Sequence, residues 1–270
     1  MALTKVLITV KTYPTLSAKY DELVCTAGFK EDGSWIRIYP VPFRKKAYSE
    51  QYKKYDWIEL DLVKNTSDFR PESYRPYSHD SDIEIIGHIN TDHNWARRKE
   101  FVLNNVHYNL KALIAEAKDK SKCTSLAVFK PTKILDFKII PVERDWDKDK
   151  LALLNQLNLF STAKDENFEV VRKLPYKFSY VFVDNEGVTS TLMIEDWELG
   201  QLYWKCLAKH EGDEAKACRD VRTKYFDEFT TSTDLHFFLG TAKIHHYRAP
   251  NPFMIIGAFY PKFNPQLQLF

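Results

Sequence analysis

Five stretches of strand-forming sequence lie within the first 90 residues and are joined by short links. Parallel strands need a long crossover connection, whereas antiparallel strands can be joined by short turns. We therefore expect a twisted antiparallel sheet or a small barrel in this part of the chain. The link at residues 30–33 predicts a hairpin between the second and third stretches. The five stretches are residues 5–10, 23–29, 33–44, 55–63 and 83–86.

The third stretch alternates with a period of two, so its side chains divide between two faces of a strand. Ile36 and Ile38 share one face, which we expect to be core. Trp35, Arg37 and Tyr39 share the other face. A guanidinium between two aromatic rings suits stacking on bases while holding a phosphate. The alternative is a strand buried on both faces, with the arginine paired to an acid.

Basic residues are concentrated just after this strand begins, although the whole chain carries a net charge of only +2. Any nucleic-acid surface must therefore come from local segregation of charge. Aromatic residues interleave with these cations, as in surfaces that bind single strands or flipped bases. The alternative is a solvated basic loop. Between residues 35 and 55 the basic residues are Arg37, Arg44, Lys45, Lys46, Lys53 and Lys54, and the one acid is Glu50.

Residues 67–76 are predicted to form a fixed loop, because two prolines restrict their own backbone and that of the preceding residue. Asp68 and Glu72 are candidates for a catalytic or metal-binding acid pair. Arg70 and Arg75 are candidates for holding a phosphate. Alternatively, these four charged side chains form ion pairs with each other and hold the loop in one conformation.

Residues 94–118 are predicted to form the first long helix, because apolar residues recur at spacings of three and four. Arg97 and Arg98 fall in its first turn, where the helix dipole disfavours cations. A bound anion would reverse that penalty. We therefore count both arginines as phosphate contacts, with neutralisation by Glu100 or a distant acid as the alternative.

The rest of the chain predicts a mixed arrangement, so the expected fold class is α+β. An N-terminal antiparallel sheet or small barrel with a long helix is followed by a mixed α/β C-terminal part. We expect a β-rich nucleic-acid-binding part at 1–160 and an α+β part at 168–270, or one continuous domain. The further predicted elements are a hairpin (125–129 and 133–140), a helix (148–159), two strands (176–183 and 189–194), a helix capped by Asp196, a helix at 214–229, and strands at 235–241 and 253–260.

Standard nucleotide-binding and hydrolase motifs are absent from the sequence, including the P-loop, the dinucleotide fingerprint, H-E-x-x-H and G-x-S-x-G. We expect no cofactor, except that a nuclease would use Mg²⁺. We assign no metal ligand. His236, His245 and His246 near Asp234 suggest either a metal or acid–base site or structural histidines, and the sequence leaves this open.

The four cysteines show no C-x-x-C spacing and are expected to be free thiols in a reducing compartment. No stretch has the length of a membrane span, and the N-terminus lacks a signal-peptide pattern. We therefore expect a soluble, cytoplasmic protein without a membrane partner. Five segments together resemble a group of prokaryotic proteins of similar length, and this resemblance implies no particular activity. The segments are 35–44, 68–75, 175–182, 196–199 and 237–260.

These patterns favour a protein that binds or processes nucleic acid, with DNA slightly favoured over RNA. One alternative is a hydrolase acting on DNA, either a base-excising glycosylase or a metal-dependent nuclease, with Asp68 and Glu72 as its acids. Another is a scaffold without catalysis, whose aromatic face binds a protein partner. An enzyme acting on a small molecule is a further alternative.

Overall fold

Within the described part of the first 90 residues, seven strands form one sheet, and five of these strands close into a barrel. The computed structural model describes residues 2–17, 21–41, 43–46, 48–78, 81–148 and 171–263. The strands of this sheet are β1 (Ala2–Lys11), β2 (Thr15–Ser17), β3 (Asp21–Phe29), β4 (Trp35–Val41), β5 (Asp56–Lys64), β6 (Ser73–Pro76) and β7 (Glu84–His88).

The barrel closes because β1 pairs antiparallel with both β3 and β5. Strand β4 continues from β3, and β6 lies between β4 and β5. Among the described pairings of this sheet, only the short one between β4 and β6 is parallel. Outside the five-stranded ring, β2 pairs with β3 and β7 pairs with β5. The predicted antiparallel sheet or small barrel is confirmed, together with the α+β class.

The predicted hairpin is formed by β3 and β4, with Phe29 opposite Trp35. Gly33 occupies the turn with a φ of 78°, a left-handed conformation that favours glycine. Ile36 and Ile38 are fully buried in the barrel, so the division of β4 into two faces is also confirmed.

Five α-helices and several short turns lie within the described residues. They are α1 (Asp92–Val102), α2 (Leu110–Lys118), α3 (Trp197–Lys209), α4 (Glu214–Arg222) and α5 (Phe229–Ser232). Two 3₁₀ turns, Phe43–Lys45 and Tyr48–Glu50, precede β5, and a π-helical segment, Thr223–Glu228, joins α4 to α5. As predicted, Asp196 caps α3, since its side chain accepts a hydrogen bond from the Glu198 backbone N–H.

The prediction of one helix over residues 94–118 is wrong. A short strand, β8 (Val106–His107), separates α1 from α2 and pairs with another strand. Asn109 then starts α2 afresh, because its side chain accepts a hydrogen bond from the Ala112 backbone N–H. The apolar residues that predicted one helix therefore belong to two helices, α1 and α2, which are separated by β8.

The C-terminal part contains two further sheets. The remaining strands are β9 (Leu126–Phe129), β10 (Lys133–Pro141), β11 (Tyr176–Val183), β12 (Thr189–Met193), β13 (His236–Thr241) and β14 (Phe253–Phe259). One sheet has the order β10-β11-β12 and the other β14-β13-β9-β8. The predicted hairpin between β9 and β10 is wrong, because β9 pairs with β13 while β10 pairs with β11.

The barrel and the C-terminal part share an apolar core. One buried cluster fills the barrel and another fills the C-terminal part. A third cluster combines barrel residues such as Leu7 and Phe29 with Phe238 and Phe259 from the C-terminal sheet. The predicted helix at 148–159 and the predicted boundary at 161–167 lie outside the described residues. Among the helices that are described, none has the length and apolarity to cross a membrane.

Candidate functional site

A cavity of about 880 Å³ lies where the barrel meets α1 and α3, and we call it the central cavity. Its volume falls in the range of small-molecule sites. The lining side chains combine five cations with four aromatic rings and one acid. The cations are Lys11, Lys53, Lys54, Arg98 and Lys205; the rings are Tyr55, Trp95, Trp197 and Tyr260; and the acid is Glu198. A second cavity of about 540 Å³ adjoins it along α3 and shares Glu198, Leu202, Lys205 and Tyr260 with it.

An ion-pair network joins the barrel to the start of α3 at the base of this cavity. The Lys54 Nζ lies 3.1 Å from each carboxylate oxygen of Asp196 and 2.8 Å from the Glu198 Oε2. Lys54 and Asp196 are buried, whereas Glu198 is partly exposed. Burial acts to lower the pKa of Lys54, but the charges of Asp196 and Glu198 outweigh it and raise that pKa. Lys54 is therefore held as a cation.

The two acids of the network differ in their surroundings. Burial raises the pKa of Asp196 above its ordinary value, even though Lys54 is adjacent. For Glu198, burial acts in the same direction, but the charge and hydrogen bond of Lys54 prevail and lower the pKa. Glu198 therefore presents an ionised carboxylate on the cavity wall.

Lys11 is a second buried lysine on the wall, and it lies on aromatic rings. Its Nζ donates a hydrogen bond of 3.0 Å to the Tyr52 carbonyl and lies 4.3 Å from the ring centre of Phe43. Burial, followed by the charge of Lys54, lowers the pKa of Lys11 to about 8. Lys11 is thus less firmly protonated than Lys54.

Arg98 forms part of the opposite wall and stacks on Tyr55. Its guanidinium carbon lies 3.8 Å from the Tyr55 ring centre and 4.9 Å from that of Trp95. The Arg98 Nε donates to the Ile89 carbonyl at 2.8 Å, which fixes the side chain. The Tyr55 hydroxyl is buried and has no hydrogen-bond partner among the described residues.

Trp95 reaches the cavity through an unusual backbone segment. His93, Asn94 and Trp95 have φ values of 50°, 54° and 64°, a left-handed conformation that is strained for residues other than glycine. The Asn94 side chain donates to the Lys262 carbonyl and accepts from the Lys262 N–H, both at 2.9 Å. These bonds hold the segment so that Trp95 packs edge-on against Tyr260.

Three cations of the central cavity lack an acidic partner among the described residues. Lys53 and Lys205 are exposed, and Arg98 is buried, yet no carboxylate of the described chain forms an ion pair with any of them. Uncompensated cations attract an anion, and the neighbouring half-buried rings offer surfaces for a planar group. The arrangement therefore suits a ligand that carries both.

Three of the cations singled out from sequence, Arg98, Lys53 and Lys54, line the central cavity. Arg37 is only 2% exposed, and it donates to the Ser125 Oγ at 2.8 Å and to the Ser125 carbonyl at 3.1 Å. Its Nη1 lies 3.8 Å from the Glu72 carboxylate. The guanidinium is enclosed between the barrel and the C-terminal part, which favours the alternative of an arginine paired to an acid, and the role of Arg37 in binding stays a prediction.

The aromatic neighbours of Arg37 are half-buried. Trp35 packs on Phe29 and on Phe238, with ring centres 4.1 and 5.9 Å apart. Tyr39 is half-buried as well. The face that carries these rings therefore contacts the C-terminal sheet at Trp35, and β4 has a buried residue on both sides.

The other expected cations are dispersed. Arg44 and Lys46 are half-buried, and the Lys46 Nζ donates to the Ser81 carbonyl at 2.7 Å. The side chain of Lys45 lies outside the described part. Arg75 and Arg97 are exposed. Their role in binding stays a prediction.

The loop acids Asp68 and Glu72 are engaged in ion pairs and hydrogen bonds. The Asp68 carboxylate accepts from the Arg70 Nη2 at 2.6 Å, and Arg70 also donates to the Thr241 carbonyl. Glu72 accepts a hydrogen bond from the Ser125 hydroxyl. Burial acts to raise the pKa of Asp68, but the hydrogen bonds and charge of Arg70 lower it to about 2. These contacts favour the structural alternative, in which the charges pin the loop.

The C-terminal histidines have separate partners. His246 is fully buried and hydrogen-bonds to the Thr241 hydroxyl and the Ala117 carbonyl, both at 2.8 Å. His236 interacts with the Asp234 carbonyl at 2.9 Å. Within the described residues, no three His, Cys, Asp or Glu side chains are grouped so as to hold a metal ion. Structural histidines are the alternative that these contacts favour.

Sequence reasoning missed most of the central cavity. Asp196 was identified only as a helix cap, and Lys53 and Lys54 only as part of a basic segment. Tyr55 was noted only as an aromatic residue of that segment. Lys11, Trp95, Glu198 and Lys205 carried no motif, because they meet only when the barrel packs against α1 and α3.

Two family models together match nearly the whole chain. Residues 106–270 match the family described as "Domain of unknown function (DUF8757)", and the chain belongs to this family. Residues 2–104 match a second family, described as "Domain of unknown function (DUF8758)". The two matches meet between α1 and β8. No curated protein matches the chain.

Proposed function

We propose that the protein binds nucleic acid at the central cavity. The observation that carries the proposal is the lining of this cavity, where Lys53, Arg98 and Lys205 form no direct ion pair with an acid of the described residues. Half-buried aromatic rings lie beside them. Proteins that bind single-stranded nucleic acid combine cations for the phosphates with aromatic side chains on which bases stack.

The basic segment predicted from sequence borders the cavity, which supports the same proposal. Phe43 lies in this segment and packs edge-on against Trp197, with ring centres 5.8 Å apart. Trp197 in turn lines the central cavity. Lys53 and Lys54, from the end of the same segment, line the cavity directly.

The proposal is tested by fluorescence anisotropy with labelled single-stranded DNA, duplex DNA and single-stranded RNA over a salt series. We expect binding that weakens as salt increases, because phosphate contacts release counterions. The variant K53E/K205E should bind at least about tenfold more weakly at low salt. The matched control K138E/K216E reverses two exposed lysines that line neither cavity and should bind as the wild type does.

The basic segment is tested separately with R44E/K45E/K46E, which we expect to abolish binding. Because Lys46 holds the Ser81 carbonyl, a melting curve must accompany this variant. If the wild type binds none of the three nucleic acids at low salt, the proposal is wrong and the protein-interaction scaffold takes its place.

A DNA-acting hydrolase is the second candidate, and one observation favours it. A base-excising glycosylase needs a carboxylate near the sugar and aromatic rings around the extruded base. Glu198 supplies an ionised carboxylate on the wall of a cavity lined with aromatic rings. For this role Glu198 is better placed than Asp68 or Glu72, because it lines the central cavity and they do not.

The hydrolase candidate is tested by incubating plain and base-modified DNA with the protein, with and without Mg²⁺, and then with alkali. Alkali-dependent breaks that are lost in E198Q indicate base excision. Breaks that require Mg²⁺ indicate a nuclease. If neither appears while binding persists, the protein is a binder without catalysis.

A further inference from the structure

We infer that the central cavity takes one nucleotide unit of the strand, with its phosphate at the unpartnered cations and its base against the half-buried rings. This inference rests on the proposed function and names the part of the nucleic acid that the cavity recognises. It assigns Lys53, Arg98 and Lys205 to the phosphate and the Tyr55 hydroxyl to a hydrogen bond with the ligand.

The charges at the cavity indicate an anionic group. Asp196 and Glu198 together outweigh the single charge of Lys54, so this network does not attract an anion. Lys53, Arg98 and Lys205 form no direct ion pair with a described acid, although Glu198 offsets part of the charge of Arg98 from further away. A phosphate is a compact anion with several acceptor oxygens, and arginine and lysine are its usual partners.

The aromatic side chains indicate a planar group next to that anion. Trp95, Trp197 and Tyr260 are each half-buried, so each retains an accessible part of its ring. One side of Tyr260 is covered by Phe229, whose ring is stacked on it at 4.1 Å, and Trp95 meets Tyr260 edge-on at 5.0 Å. These contacts hold the rings before a base arrives, so little side-chain entropy is lost on binding.

Tyr55 provides a group without a partner inside the protein. It is only 4% exposed, and its hydroxyl forms no hydrogen bond with any described residue. Buried hydroxyl groups are normally satisfied, so an unsatisfied one on a cavity wall indicates a ligand or a bound water. Tyr55 lies on the cavity wall beside the cations Lys54 and Arg98, so a ligand bound there lies close to this hydroxyl.

Tyr203 offers an internal control for this assignment. Its hydroxyl is also buried and without a partner among the described residues, but Tyr203 lines neither cavity. Both tyrosines thus have a buried hydroxyl without a described hydrogen-bond partner, but of the two Tyr55 lies on a cavity wall and Tyr203 does not. Removal of each hydroxyl separates a ligand contact from a purely structural effect.

The cavity is large enough for one nucleotide. Its volume of about 880 Å³ lies in the range of small-molecule sites.

The test measures binding of the four deoxynucleoside monophosphates by calorimetry, together with the matching deoxynucleosides and inorganic phosphate. We expect at least one monophosphate to bind and to displace a labelled oligonucleotide, and the corresponding nucleoside to bind at least about tenfold more weakly. Y55F should weaken monophosphate binding roughly 3- to 10-fold, the effect of one hydrogen bond. Y203F should bind as the wild type does, and both variants should keep the wild-type melting temperature.

The outcomes separate this inference from the proposed function. If oligonucleotides bind but no monophosphate displaces them, or if Y55F binds as tightly as Y203F, the single-nucleotide assignment is wrong and nucleic-acid binding stands. If monophosphates bind and oligonucleotides do not, nucleic-acid binding is wrong. Since Arg98 is buried and its replacement endangers the fold, K53E/K205E tests the phosphate contacts instead, with K138E/K216E as its control.

Discussion

Lys54 and Asp196 form a buried ion pair in which the lysine Nζ is equally distant, at 3.1 Å, from both carboxylate oxygens. The two residues are 142 positions apart in the chain. Lys54 precedes β5 of the barrel, and Asp196 caps α3. One ion pair thus fixes the position of α3 against the barrel and shapes the base of the central cavity.

The first prediction concerns this ion pair. In D196N the side chain can still cap α3, since asparagine and aspartate are comparable caps, but the charge opposite Lys54 is lost. Glu198 still pairs with Lys54 in this variant, so we expect the free energy of unfolding to fall by only about 1 to 3 kcal/mol, the cost of weakening the hydrogen bonds to a buried carboxylate. Urea denaturation measures this loss. The control D213N alters the exposed cap of α4 and should change stability by less than about 0.5 kcal/mol.

The second prediction concerns Asp68 and pH. Its pKa is lowered from 3.8 to about 2 in the folded protein, so the folded state stabilises the ionised form. Its contribution to stability is therefore present above pH 4 and is lost as the pH falls from about 4 to about 2. We expect D68N to lower the free energy of unfolding by about 2 to 4 kcal/mol at pH 7.

The difference between D68N and the wild type should shrink as the pH falls toward 2, as measured by denaturation at several pH values. The control D145N removes an exposed aspartate and should have little effect at any pH. A difference that stays constant down to pH 2 would contradict the assigned role of the Asp68–Arg70 pair.

The third prediction concerns Arg37. R37A removes the donor to the Ser125 Oγ and carbonyl and leaves Glu72 without its buried cation, so we expect a loss of about 3 to 5 kcal/mol in the free energy of unfolding. R75A removes an exposed arginine and should cost less than about 0.5 kcal/mol. Thermal melting compares the two. An R37A protein that melts like the wild type but binds nucleic acid weakly would restore the exposed platform that the sequence suggested.

The fourth prediction concerns Lys11, whose pKa is lowered from 10.5 to about 8. The folded state disfavours the protonated lysine, so wild-type stability should rise as the pH increases from about 8 to about 10.5. K11M removes the buried charge but also the hydrogen bond to the Tyr52 carbonyl. Because the first effect is larger, K11M should be more stable than the wild type at pH 7 by about 1 to 3 kcal/mol. Denaturation at pH 7 and pH 10 should show this advantage shrinking. An equal difference at both values would contradict the lowered pKa.

Much of the barrel could be predicted from local sequence. The turn at Gly33 and the alternation of Ile36 and Ile38 depend on neighbours within a few positions, and both predictions are confirmed. Local patterns could not reveal which strands would pair at long range. Residues 125–140 look like a hairpin, yet β9 and β10 have better partners in β13 and β11.

Local sequence was an even weaker guide to the candidate site. The residue types around Arg37 could be read from sequence. The burial of the Arg37 guanidinium could not, because it depends on a hydrogen bond to Ser125, which is 88 positions away. No sequence pattern indicates the strained backbone segment that carries Trp95, because its residues are those of an ordinary helix start. It is held by Lys262, near the other end of the chain.

The shared core has a consequence for a chain cut at residue 105, where the two family matches meet. Each fragment would expose apolar surface that the other covers in the intact protein, since Leu7 and Phe29 pack with Phe238 and Phe259. We expect the separate fragments to be poorly soluble and to regain the native fold when they are produced together. The protein would then behave as a split pair, in which assembly of the halves also assembles the central cavity.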